Sequence, residues 1–99
     1  MMKSMHNQET KALYNAILSL KTTEECEKFF KDICTIKELE ALSLRFLVAQ
    51  QLDKGKNYND VSRDTGASSA TISRVNKCLN YCDGYRIVLD RLKESGDEI

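Results

Sequence analysis

Proline and tryptophan are missing from this 99-residue chain, histidine occurs once and glycine only four times. Without proline, nothing locks φ or removes a backbone donor inside a helix, so long helical stretches meet no break of that kind. The glycines stand far apart, which excludes a glycine-rich loop cradling phosphate. The lone histidine, His6, leaves no base beside a nucleophile and no histidine metal cluster, so enzyme chemistry has no constellation to rest on. Asp60 and Asp64 are spaced as an i,i+4 carboxylate pair, but both read as solvated side chains of a surface helix. No apolar run approaches the roughly 18–20 residues that span a bilayer. The opening MMKSMHNQET also lacks the apolar core of a signal peptide. These absences predict a cytoplasmic, non-enzymatic chain with no membrane contact, no cofactor and no metal.

Net charge is absent too, since fifteen Lys/Arg balance fifteen Asp/Glu. Phosphate binding needs cations, so their distribution decides the matter. Residues 1–53 carry seven basic and eight acidic side chains, whereas residues 54–93 carry eight basic and four acidic ones. The tail, with Glu94, Asp97 and Glu98, cancels most of that surplus. The positive excess therefore falls in a single stretch of the chain.

What is present is helical periodicity throughout. Leu13, Ile17 and Leu20, flanked by Tyr14 and Leu18, predict a first amphipathic helix from about Asn7. Thr22 and Glu25 form a capping-box pair opening a second helix, whose apolar face is Cys26, Phe29, Phe30 and Ile33. Thr35 and Glu38 open a third in the same way, with Cys34 and Leu39 placed for a hydrophobic staple, and Gly55 ends it near Lys54. Along this third helix Ile36, Leu39, Leu42, Phe46 and Ala49 line one side, and Leu44, Leu47, Val48 and Leu52 widen the stripe almost around the rod. A helix apolar on most faces must be covered on most faces. So small a chain has little mass to do so, which predicts an intertwined homodimer. A compact monomer with a buried central helix is the alternative.

The stretch YNDVSRDTGASSATISRVNKCL, Tyr58 to Leu79, has the spacing of a helix-turn-helix. Val61 precedes Gly66, and Ile72 and Val75 follow it by six and nine residues. Glycine takes the left-handed conformation cheaply, so a sharp corner is expected at Gly66, with Ser68 capping the helix beyond it. The outer face of that helix, Ser69, Ala70, Ser73, Asn76 and Lys77, is small and polar, as a helix entering a DNA groove requires. Ser69, Ala70 and Ser73 are the candidates for base edges. Arg63, Thr71, Arg74 and Lys77 are the candidates for phosphate, and Ser62 is a further candidate for the groove. Past Asp83-Gly84, read as a turn, Tyr85, Val88, Leu89 and Leu92 give a last amphipathic helix ended by Ser95-Gly96. The expected organisation is a disordered N-terminus (1–6), one helical domain (7–94) and a disordered tail (95–99). Within the domain lie dimerisation helices (7–54), the helix-turn-helix (58–80) and a C-terminal helix (84–94).

The segment GASSATISRVNKCL resembles the recognition-helix signature of the Trp repressor superfamily, especially its YerC/YecD branch of Trp-repressor-like proteins. CTIKELEALSLRFLVAQQL resembles the helix preceding the DNA-binding unit there, and the likeness runs from about Leu20 to Leu92. It implies an all-α, six-helix Trp-repressor-like helix-turn-helix fold, an intertwined homodimer, double-stranded operator DNA as partner, and repression of transcription. It also implies a small-molecule effector pocket. Arg74 matches an arginine touching the corepressor in the Trp repressor, Arg45 matches that pocket's other arginine, and Thr35 matches a threonine that holds the ligand's carboxylate. Where that family has a glycine against the flat ring of tryptophan, this chain has Val75, which predicts an effector other than tryptophan. The stretch between Gly55 and Gly66 is also one residue shorter than in the Trp repressor.

Four cysteines, Cys26, Cys34, Cys78 and Cys82, read as reduced thiols rather than a disulfide framework. Cys78 and Cys82 share one helical face, and their simplest role is that of small buried hydrophobes at helix contacts. Two other functions stay open at this point: a helical protein–protein interaction module, favoured by the overall neutrality, and a thiol- or metal-sensing regulator, which needs Cys78 and Cys82 accessible.

Overall fold

A computed structural model describes the backbone of residues 2–96 and the side chains of residues 7–96. Residue 1 and residues 97–99, parts of the ends read as disordered, lie outside the described residues. The elements are all helices: α1 (Met2–Leu18), α2 (Thr23–Ile33), α3 (Ile36–Asp53), α4 (Tyr58–Thr65), α5 (Ser69–Tyr81) and α6 (Gly84–Ser95). By its internal contacts the chain divides into two compact units, Met1–Leu39 and Glu40–Ile99.

In the first unit, α1 begins at Met2 rather than near Asn7. The intervening residues include no proline, glycine or β-branched side chain, so nothing local stops the helix from continuing backwards. Both capping boxes form. Thr22 accepts from the Glu25 N–H at 3.0 Å while the Glu25 carboxylate takes the Lys21 N–H at 2.8 Å. Thr35 accepts from the Glu38 N–H at 3.1 Å, and Glu38 answers at the Thr35 N–H at 2.8 Å. Phe29 and Phe30 meet edge to face with ring centroids 5.7 Å apart, a favoured aromatic geometry. Yet no described side chain from Asn7 to Leu39 is buried, and Leu18 and Ile36 are 80% and 78% exposed.

The second unit holds the core. Val48 and Ala49 of α3, Val61 of α4, Ala67 of the turn, Ile72 and Val75 of α5 and Leu89 of α6 are buried together. Leu44, Phe46, Leu52, Leu79 and Tyr85 pack around them. Burying each larger member removes enough apolar surface to contribute about 1.5–3 kcal/mol. The helices α4 and α6 both pack on α5, so the core fixes α5 from behind. α3 ends at Asp53, and Gly55 follows at φ 90°. The corner before α6 falls beside the expected Asp83-Gly84 turn: Cys82 is extended, the chain bends at Asp83, and Gly84 is the first residue of the helix. Asp83 stands at the N-cap without a side-chain capping bond. At the other end α6 includes Ser95 and stops at Gly96, which takes φ 78°.

Candidate nucleic-acid interface

The site is built on α4, the turn and α5. Asn57 caps α4 by accepting from the Asp60 N–H at 2.9 Å. At the far end Gly66 is left-handed (φ 76°, ψ 5°) and its N–H donates to the Ser62 carbonyl at 2.9 Å. The turn is braced by hydroxyls: Ser62 donates to the Ala67 carbonyl at 3.2 Å, and Thr65 donates to the Val61 carbonyl at 2.6 Å while accepting from the Ala67 N–H at 3.1 Å. Ser62, a candidate for the groove, therefore holds the corner. Ser68 caps α5 through the Thr71 N–H at 3.2 Å and also donates to the Thr71 hydroxyl at 3.1 Å. Thr71, a phosphate candidate, keeps only its own O–H free to donate outward.

Along α5 the two faces separate cleanly. Ile72 and Val75 are each 1% exposed, while Ser69, Ala70, Ser73, Arg74 and Lys77 are exposed and Asn76 is half-buried. Successive residues on an α-helix turn by about 100°, so Arg74 points outward and its neighbour Val75 inward. Val75 thus belongs to the core and leaves almost no surface for a ligand. Of the other effector-pocket candidates, Arg45 is half-buried on α3, and Thr35, in the first unit, is the exposed N-cap of α3.

The charges sort the cations into two groups. Arg63 of α4 is already engaged, reaching Asp60 at 3.0 Å and Asp64 at 3.1 Å. Asp64 also takes Lys56 at 3.4 Å. The Arg63 guanidinium holds the Asp64 carboxyl below its ordinary range, and Asp64 in turn raises Arg63. By contrast Arg74 and Lys77 make no ion pair among the described residues. They are the charges of the site left for an external anion. Behind it, Asp53 in the last turn of α3 has its side chain 10% exposed and accepts from Arg86 at 2.5 Å and Lys93 at 2.6 Å. These bonds, from Lys93 and then Arg86, lower its pKa and tie α3 to α6.

Sequence reasoning missed the Asn57 cap, the neutralised Arg63 and the Asp53 clamp. The first two carried a signal in the three-residue spacings Asn57–Asp60 and Asp60–Arg63; the clamp joins residues 33 apart. The cysteines follow expectation as free thiols and differ from it in burial. All four are free, Cys26, Cys34 and Cys78 are half-buried and Cys82 is exposed, so none is a buried hydrophobe. Among the described residues no three Cys, His, Asp or Glu side chains are grouped to hold a metal ion, and no helix is long and apolar enough to cross a membrane.

Comparison with known proteins agrees with this geometry. The family model described as Trp repressor protein matches residues 8–93. YerC, an uncharacterised protein of Bacillus subtilis (strain 168), is 50% identical over 95 residues, covering 95% of this chain and 91% of YerC. The crystal structure of a TrpR-like protein from Eubacterium eligens ATCC 27750 superposes with a TM-score of 0.83 at 52% identity, over 87% of this chain and 90% of that one. A candidate Trp repressor from Staphylococcus aureus gives 0.85 at 38% identity, over 94% of each chain. The chain is therefore a member of the Trp repressor family of DNA-binding transcription regulators, with the all-α fold of that family.

Proposed function

We propose that the protein is a sequence-specific regulator that works as a homodimer, occupying operator DNA and blocking transcription. The observation that carries this reading is the α4–Gly66–α5 corner, whose α5 presents exposed Ser69, Ala70 and Ser73 beside the unpaired cations Arg74 and Lys77. In this reading α5 enters the major groove. Ser69, Ala70 and Ser73 meet base edges, and Arg74, Lys77 and the Thr71 hydroxyl meet phosphate. Arg63 joins them only by exchanging its carboxylate partners for phosphate.

Two copies are supported by what one copy leaves open. The helices α1 and α2 have apolar faces but bury no described side chain, and Ile36 and Leu42 of α3 are exposed. Apolar surface of that extent calls for cover, and a symmetric partner supplies it while setting two α5 helices about one turn of DNA apart. Thr35, Arg45 and Arg74 remain the residues for an anionic effector. Val75, locked in the core, supports an effector other than tryptophan.

The test is selection of bound fragments from the host's genomic DNA at about physiological salt. A two-fold symmetric motif is the expected result, with affinity falling steeply as salt rises. Recovery of no motif by folded protein, with association that ignores salt, would support the protein–protein module that the zero net charge and the neutralised Arg63 favour. Calorimetry with tryptophan should show no tight binding.

A further inference from the structure

Cys78 and Cys82 stand four residues apart, one helical turn, at the end of α5. The Cys82 backbone N–H donates to the Cys78 carbonyl at 2.8 Å, closing the last turn of the helix and holding the two residues one above the other. Both line a cavity of about 470 Å³ with Phe46, Gly84, Tyr85 and Val88. Its wall is almost wholly apolar, it opens to solvent, and Cys82 is exposed.

The chemistry of this arrangement is narrow. A structural zinc site wants four ligands, and no third Cys, His, Asp or Glu is grouped with the pair among the described residues. Surrounding protein and the adjoining Cys78 sulfur push the Cys82 thiol above its ordinary pKa. A reactive redox cysteine carries the opposite shift, because the thiolate is its nucleophile. What suits two neighbouring thiols is a soft centre that two sulfurs satisfy and that condenses with them by losing water. The apolar cavity adds room for an organic group attached to that centre.

We infer that Cys78 and Cys82 form a dithiol site for trivalent organoarsenicals, the sulfurs holding arsenic and the cavity its organic substituent. With an arsine oxide R–As=O, two As–S bonds form, both S–H bonds break, and the oxygen leaves as water with the two thiol protons. Arsenic stays trivalent, so no oxidant or reductant enters. The site rests on the geometry of α3, α5 and α6 and is independent of the DNA reading.

Phenylarsine oxide is the probe, added in equimolar amount to the full, phosphine-reduced chain and followed by intact mass and by titration of the remaining thiols. One phenylarsenic adduct per chain is expected, with two thiols lost. It should form equally in a Cys26→Ser/Cys34→Ser variant and be removed by a dithiol but not by a monothiol. Cys78→Ser and Cys82→Ser should each weaken retention about a hundredfold, the usual gain from holding two attachments at once. Circular dichroism establishes that each variant stays helical. No adduct on the wild-type chain, or an adduct that survives either Cys78→Ser or Cys82→Ser with undiminished retention, overturns the site. So does its loss in the Cys26→Ser/Cys34→Ser variant, which would place the arsenic on the other pair.

Discussion

The Asp53 clamp makes a prediction that links stability, pH and the DNA-binding unit. A carboxylate in the last turn of α3 faces the negative end of the helix dipole, and burial of its side chain to 10% exposure adds a desolvation cost. Two cations offset both effects: Lys93 at 2.6 Å and Arg86 at 2.5 Å. Asp53→Asn keeps the size and removes the charge. Arg86 retains Asp90 at 3.0 Å, and Arg86 and Lys93 side chains are 40% and 43% exposed, so neither cation is stranded in the core. The cost therefore falls below the 3–5 kcal/mol of breaking a fully buried pair and above the 0–1 kcal/mol of an exposed one, at about 2 kcal/mol. For a domain of this size that lowers the melting temperature by about 10 °C.

The sign with pH is fixed by the direction of the shift. The folded pKa of Asp53 lies below its ordinary value, so the unfolded chain takes up the proton first as pH falls. The clamp's contribution is complete above the unfolded value of about 3.9 and disappears as pH drops through the folded one. Thermal melts of both proteins, followed by far-UV circular dichroism, should show a constant gap from about pH 5 to 8 that closes below about pH 4. Equal stability at neutral pH, or a gap that persists in acid, refutes the assignment.

Three further outcomes follow from the same geometry. At Gly66, a Cβ meets nothing within 4 Å, so Gly66→Ala should cost only the left-handed strain, about 1 kcal/mol by denaturant unfolding; a loss of several kcal/mol would mean a hidden clash. Lys77→Ala should weaken binding to all DNA sequences alike and reduce the salt slope by about 1 per half-site, whereas Ser73→Ala should alter preference at one base position and leave the slope intact. Matching behaviour of the two variants in salt titrations against several sequences would contradict the division between phosphate and base contacts. Asp64→Asn should release Lys56 and leave Arg63 to Asp60 alone, raising DNA affinity at low salt and steepening the slope; unchanged binding would show that Lys56 does not reach phosphate.

How much of this was legible in the sequence depended on the range of the interactions. The Gly66 corner, the Ser68 cap and both capping boxes are made by residues three or four apart, and the spacing alone identified them. The inner face of α5 was equally clear, because Ile72 and Val75 recur at helical period. The Asp53 clamp was not, since a pairing across 33 residues depends on how α6 packs against α3. Periodicity also names a face without saying what covers it. Cys78 and Cys82 share a side of α5 that reads as a helix contact, yet the chain leaves the helix at the extended Cys82, bends at Asp83 before α6 begins and leaves an open apolar cavity there.

Charge shows the same limit in a form that bears on function. Counting side chains gives residues 54–93 twice as many cations as anions, which overstates what DNA can use. Arg63 and Lys56 are tied to Asp60 and Asp64, and Arg86 and Lys93 to Asp53. The exposed pairs of Arg63 and Lys56 exchange readily, because each is worth little in water, the Asp53 clamp holds its cations more firmly, and every one of these cations must surrender a partner before it neutralises a phosphate. Arg74 and Lys77 face no such competition and sit on the face of α5 that also carries Ser73. A unit with two ready cations beside its base-reading residues, and four of its eight cations held back by carboxylates, gains less from unspecific phosphate contact than its composition suggests. Its discrimination between sequences must then come from the small polar face itself.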